Sequence, residues 1–124
     1  MKILCGTDII EIQRVKEAIE ELGEKFIDKI YTLEEIKYCE SKNKQKYQHY
    51  AARFAAKEAI FKAVSEILQD KYEISWKDIE ITNNKEGKPI VKFIEKKYKS
   101  IESIDLSISH CKEYATAMVV VVTE

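Results

Sequence analysis

The run Arg53-Phe54-Ala55-Ala56-Lys57-Glu58-Ala59-Ile60-Phe61-Lys62-Ala63 sets four charges into an otherwise apolar, alanine-rich stretch. From Tyr50 to Val64 there are six alanines and neither glycine nor proline, so the segment reads as a helix. Apolar residues wrap most of its circumference, which marks a helix surrounded by protein whose charges need partners. Glu58 and Lys62, four apart, share one face, while Arg53 and Lys57, also four apart, share another. A buried carboxylate beside a cation can bind a metal ion, serve a phosphate site, or close an internal Glu58–Lys62 ion pair. Two further groups offer comparable chemistry. Ile3-Leu4-Cys5 reads as a short buried strand closed by Gly6-Thr7-Asp8. A carboxylate just after a glycine that permits close backbone approach can present an oxygen ligand, and it can equally cap a helix. His110 ends the alternating stretch Ile104-Asp105-Leu106-Ser107-Ile108-Ser109. Successive strand side chains face opposite ways, so Ser109 and His110 do not form a nucleophile–base pair, and His110 is either a structural residue or a ligand.

Taken in order along the chain, these pieces resemble the holo-acyl-carrier-protein synthase family, small phosphopantetheinyl transferases. The matching stretches begin with Gly6-Thr7-Asp8-Ile9-Ile10-Glu11-Ile12 and Arg14, then Tyr31-Thr32-Leu33-Glu34-Glu35 and Arg53-Phe54-Ala55-Ala56-Lys57-Glu58-Ala59 with Lys62-Ala63. They continue with Asp78-Ile79-Glu80-Ile81, Gly87-Lys88-Pro89, and Leu106-Ser107-Ile108-Ser109-His110 with Tyr114-Ala115. The resemblance implies transfer of the 4′-phosphopantetheine arm of coenzyme A to a serine of an apo-acyl carrier protein, leaving adenosine 3′,5′-bisphosphate, for fatty acid biosynthesis. The acceptor serine belongs to the substrate, so no nucleophile of this chain is required. Carried over residue by residue, Asp8 and Glu58 are expected to hold Mg²⁺, which commonly takes one or two carboxylates plus phosphate oxygens and water. Lys62 is expected beside the pyrophosphate as a compact point charge, acting with Glu58 in catalysis. Arg53 and His110 match positions for the coenzyme's phosphates, and Gly87 and Pro89 match the turn at its adenine end. The group that deprotonates the acceptor serine stays open between Glu58 and a water on the metal. Arg14, Phe26 and Phe54 are the expected carrier contacts. The resemblance also implies a homotrimer with active sites between neighbouring subunits.

The elements that must position these residues follow from periodicity. Val15, Ala18, Ile19 and Leu22 mark one face of a helix that Gly23 can terminate. Thr32 and Glu35 form a capping-box pattern for a helix through about Ser41, and Lys42–Lys46 is a polar link into the alanine-rich helix. Strands are expected near Trp76–Thr82, Pro89–Phe93, Asp105–His110 and Tyr114–Val122, with a short polar helix or turn near Glu95–Ser100. Asn83-Asn84-Lys85-Glu86-Gly87 reads as a hairpin turn. The order gives an α+β fold: an N-terminal short strand, several helices including a long buried one, then an antiparallel sheet. Met118-Val119-Val120-Val121-Val122 lacks alternation and is expected to be covered on both faces, by the helices or by another subunit.

At 124 residues, 45% hydrophobic and with one proline, residues 1–124 are expected to form one domain on one core. No stretch is long enough to span a membrane and no signal-peptide pattern opens the chain, so the cytoplasm is expected. Cys5, Cys39 and Cys111 form no CxxC spacing, consistent with reduced thiols. Residues 42–62 carry six basic side chains and one acidic one in a chain of net charge −1, a local excess that suits an anionic coenzyme. The same segment with Tyr47, His49 and Tyr50 could instead meet nucleic acid. That reading is set aside, because the net charge is negative and the aromatics fall in a helix expected to be buried. Two departures from the family pattern stand out. Val64-Ser65-Glu66-Ile67-Leu68-Gln69 replaces a glycine-containing loop and is expected to extend the long helix. The first helix carries Glu17, Glu20 and Glu21 after Arg14, with Glu24 following, where a basic carrier-binding face is the pattern.

Overall fold

A computed structural model describes residues 1–68, 74–94 and 100–124. In chain order its elements are β1 (Ile3–Glu11), α1 (Ile12–Leu22), α2 (Glu24–Ile30), α3 (Leu33–Glu40), α4 (Lys46–Val64), β2 (Ile79–Asn83), β3 (Pro89–Phe93), β4 (Ile101–His110) and β5 (Tyr114–Thr123). The fold is α+β, as expected. β1, β5 and β4 form an antiparallel sheet in that order, and β2 pairs with β3 as a separate antiparallel hairpin.

α4 lies against the inner face of the three-stranded sheet. It is buried nearly all round, through Tyr50, Ala51, Ala52, Ala55, Ala56, Ala59, Ile60, Ala63 and Val64, so its alanines serve close approach as well as helix propensity. The tightest point is Gly6: a Cβ there would lie 2.0 Å from the Ala59 carbonyl oxygen. Glycine is therefore needed at Gly6 for space. Apolar burial falls into two clusters, one around Leu4, Ile60, Val119 and Val121, the other around Val15, Tyr31 and Tyr50. Ile10 and Ile108 pack against both and join them.

Several sequence expectations need correction. β1 does not stop at Gly6-Thr7-Asp8 but runs to Glu11, because β5 pairs with it through the Glu11–Tyr114 position. Asp8 is thus inside a strand and caps no helix. α4 ends at Val64 rather than continuing: the Ser65 hydroxyl donates to the Lys62 carbonyl at 2.9 Å and Ile67 N–H donates to Val64 O at 3.0 Å, tightening the chain into a turn. Gln69 and most of the expected Glu95–Ser100 element lie outside the described residues. The valine run is covered on one face only within the chain: Val119 and Val121 are buried, whereas Met118 is 53% exposed. α2 was not anticipated, although Phe26, Ile27 and Ile30 have helical spacing. β4 starts at Ile101, four residues before the expected strand.

The remaining boundaries follow their local signals. Gly23 adopts φ +56° after α1 and donates its N–H to Ile19 O at 2.7 Å. At α3 both halves of the capping box are made: Glu35 N–H donates to Thr32 Oγ1 and Thr32 N–H donates to Glu35 Oε1.

Candidate active site

The alternation of β1 explains how Asp8 reaches α4. Leu4, Gly6, Asp8 and Ile10 point inward, while Ile3, Cys5, Thr7 and Ile9 point away. The close approach at Gly6 then sets Asp8 against the last turns of α4, where Glu58 and Lys62 follow one another on one face. Lys62 Nζ donates to Asp8 Oδ1 at 2.9 Å and to the Thr7 carbonyl at 3.0 Å. The internal pairing of Glu58 with Lys62 open to the sequence is not the one formed; Lys62 bridges helix to strand. Asp8 has a side chain only 15% exposed, whereas that of Lys62 is 53% exposed. Burial, then the neighbouring Asp8, pushes the Glu58 carboxyl above its ordinary value, and Lys62 partly opposes the shift.

Asp8 and Glu58 line one cavity of about 320 Å³ together with Arg14, Phe54 and Tyr114. Arg14 reaches it from α1, its side chain 74% exposed and 3.5 Å from Glu11. Phe54 stacks with Trp76 at 5.1 Å and with Phe26 at 6.2 Å between ring centroids. Of the three expected carrier contacts, Arg14 and Phe54 line the cavity that holds both carboxylates, and Phe26 stacks on Phe54. Neither Trp76 nor Tyr114 is among the expected site residues; Trp76 comes here by stacking on Phe54, and the strand pairing of Tyr114 with Glu11 brings it to this edge.

The other expected coenzyme residues meet elsewhere. Arg53, Gly87, Pro89 and His110 line a second cavity of about 210 Å³, with Tyr38, His49 and Asn83. Arg53 is buried, and its guanidinium lies 4.2 Å from the Tyr38 ring centroid. His49 sits 5.9 Å from His110, ring to ring, and burial, then Arg53, lowers its pKa to about 4. Gly87, at φ +85°, lets the β2–β3 turn close. Tyr50, considered for base stacking, is fully buried and donates to Glu40 at 2.6 Å.

Lys57, between these sites on α4, belongs to neither. Its ammonium is fully buried and donates to Glu35 Oε1 at 2.6 Å, Ile30 O at 2.7 Å and Trp76 O at 2.9 Å.

The family model of the 4′-phosphopantetheinyl transferase superfamily matches residues 4–119. The chain belongs to this superfamily. Among its relatives, the holo-acyl-carrier-protein synthase of Ruminiclostridium cellulolyticum is 47% identical over 126 residues, covering 98% of this chain and 92% of the relative. That of Chlamydia caviae is 44% identical over 117 residues and 93% of each chain. In structure, the Helicobacter pylori holo-acyl-carrier-protein synthase in complex with coenzyme A superposes with a TM-score of 0.84 at 32% identity, over 96% of this chain and all (100%) of that one. The Bacillus anthracis enzyme, in complex with coenzyme A (3′,5′-ADP), gives 0.81 at 36% identity, over 98% of this chain and 96% of that one.

Proposed function

We propose that this superfamily member is a holo-acyl-carrier-protein synthase, moving 4′-phosphopantetheine from coenzyme A to a serine of an apo-acyl carrier protein. The acceptor hydroxyl oxygen bonds to the phosphorus that carries pantetheine, the bond to the bridging pyrophosphate oxygen breaks, and adenosine 3′,5′-bisphosphate leaves. What supports this reading is that Asp8 and Glu58 line one cavity and Lys62 is bonded to Asp8, on a chain whose relatives with that name match nearly end to end.

Two carboxylates in one cavity, one of them raised by burial and then by the other, suit a divalent cation; no cluster of three or more acidic, histidine or cysteine ligands occurs among the described residues. That donor set fits Mg²⁺, which completes its shell with phosphate oxygens and water, and Asp8 and Glu58 would hold it. When bound, the ion supplies a Lewis acid for the pyrophosphate oxygens. Lys62, more than half exposed and resting on Asp8, is free to turn to an incoming phosphate, where a mobile ammonium offsets charge on the leaving oxygen. Of the two carboxylates Glu58 is the one not tied to Lys62, which leaves it the better placed to take the hydroxyl proton. Arg14, with Phe54 and Phe26 behind it, meets the carrier. Arg53, His110, Gly87 and Pro89 bind the coenzyme's nucleotide end.

Within one chain the two cavities share no lining residue. The outer sheet face leaves Ile3, Ile9 and Met118 exposed at 68%, 63% and 53%. A homotrimer that covers this face and joins one copy's carboxylates to a neighbour's Arg53 pocket accounts for both. Among the described residues no helix is long and apolar enough to cross a membrane, and we place the reaction in the cytoplasm, supplying fatty acid synthesis as a single domain of residues 1–124.

The test is the intact mass of an apo-acyl carrier protein incubated with this protein, coenzyme A and Mg²⁺, with and without chelator. A gain of one phosphopantetheine, lost with chelator and slowed at least tenfold in Glu58→Gln, is the expected result. No gain across several carriers overturns the reading.

A further inference from the structure

Arg53 is 3% exposed, and its Nε is buried without a hydrogen-bond partner. A buried guanidinium ordinarily finds a carboxylate. Among the described residues none lies within ion-pair distance of Arg53; its Nη2 donates instead to the Asn83 amide oxygen at 2.9 Å. The other end of that amide donates to Gly87 O at 3.0 Å, so both bonds assign the same amide orientation. One face of the guanidinium is covered by Tyr38, at 4.2 Å to the ring centroid. The fork is thus held from the side and from one face by neutral groups, its charge uncancelled, in a cavity that Asn83, Gly87 and His110 also line.

We propose that Asn83 is a positioning residue for recognition of the 3′-phosphate: it locks the Arg53 fork to the Gly87 turn, with Tyr38 as the surface on which the fork rests. This deepens, and rests on, the reading of this cavity as the binding place of the coenzyme's nucleotide end. An amide suits the task better than a carboxylate, because an acid here would orient Arg53 equally well while neutralising the charge meant for the ligand. The end of β2 supplies the geometry: Asn83 is its last residue and pairs with Pro89 across the hairpin, so its side chain spans the turn to Arg53 without bending the strand.

The experiment measures binding by calorimetry to the full chain, with adenosine 3′,5′-bisphosphate and adenosine 5′-monophosphate as probes. Wild type is expected to favour the bisphosphate. Asn83→Ala should weaken the bisphosphate about tenfold, the worth of one charge-assisted contact, and leave the monophosphate within twofold. In an Arg53→Ala background the same change should add nothing, which a general loosening of the turn would not reproduce. Asn83→Asp should weaken the bisphosphate more than Asn83→Ala. Tyr38→Leu serves as a second variant away from the turn and should lose the same selectivity to a smaller degree.

Unchanged bisphosphate affinity in Asn83→Ala, equal loss for both nucleotides, or full additivity with Arg53→Ala overturns the proposal, as does wild type that binds neither probe. Asn83-dependent bisphosphate binding by a protein that transfers nothing to carriers would uphold the positioning role while the transferase reading fell. Transfer with Asn83-independent binding would do the reverse.

Discussion

Lys57 and Lys62 of helix α4, five residues apart, meet opposite fates. Lys57 is fully buried, with three acceptors within 2.9 Å, and Glu35 opposite it is itself filled by the backbone N–H groups of Thr32 and Ile81. Lys62 is half exposed, holding Asp8 and one carbonyl, next to a Glu58 whose proton affinity is raised. The first arrangement is closed: every group has its partner, and it ties the end of α2, the start of α3, Trp76 and β2 to the long helix. The second is open, with charge in excess of its internal partners. Burial draws the Lys57 ammonium down, Glu35 opposing it, so its charge persists only through that network. A closed pair in the interior specifies geometry, whereas an open one at a cavity can bind.

The comparison breaks most visibly at Lys57. Lys57→Met should leave the Glu35 carboxylate buried and unpaired, costing about 3–5 kcal/mol in urea unfolding, and adding Glu35→Leu should recover much of that. A loss below about 1 kcal/mol would mean the pair is not what holds α3 on α4. At Lys62 the balance should invert. Lys62→Ala should slow transfer to a carrier about 10²-fold, equivalent to ~2.7 kcal/mol, while unfolding free energy moves by no more than about 0.5 kcal/mol. Equal damage to stability and rate would collapse the distinction between the two lysines.

Gly6→Ala tests the contact on which the open site depends. The new Cβ meets the Ala59 carbonyl oxygen at 2.0 Å, so the helix must lift from β1. Overpacking of this kind costs about 1–3 kcal/mol, and transfer should fall along with stability because Asp8 and Glu58 separate. Retained activity with lost stability would show that the carboxylates are positioned without that contact.

The smallest effect sits in the cavity that Arg53 and His110 line. His49 has its pKa lowered from 6.5 to about 4 by burial and by Arg53, with Lys42 and His110 contributing. The unfolded chain therefore binds the extra proton first, so stability is full above pH 6.5 and is lost as the pH falls toward 4. Because the ring is partly solvated, the contribution is on the order of 1 kcal/mol. Urea midpoints between pH 7 and pH 5 should fall less in His49→Gln than in wild type; parallel slopes would remove His49 as the titrating group.

Much of the candidate site was legible in the primary structure. Alanines without glycine or proline mark α4, the Glu58 and Lys62 spacing follows from helix geometry, and the capping box at Thr32 and Glu35 is visible as two residues three apart. Glycine at position 6 was correctly associated with close backbone approach, though the length of β1 was not, because its extension to Glu11 depends on a partner strand more than a hundred residues away. The short α2 escaped for a different reason: seven residues carry too little periodicity to stand out.

What the sequence determined by itself was the set of chemical groups and the local frames that carry them: a long apolar helix with charges at fixed angles, an alternating strand, a turn with its glycine. These depend on neighbours along the chain. Which charge meets which was decided only by tertiary packing. Lys62 chose Asp8, fifty-four residues away, over Glu58 one turn before it; Lys57 found Glu35; Arg53 was left to the neutral Asn83. The physical reason is that pairing of buried charge is set by distance in space and by how much solvent each group retains, and neither is fixed until the helix lies on the sheet.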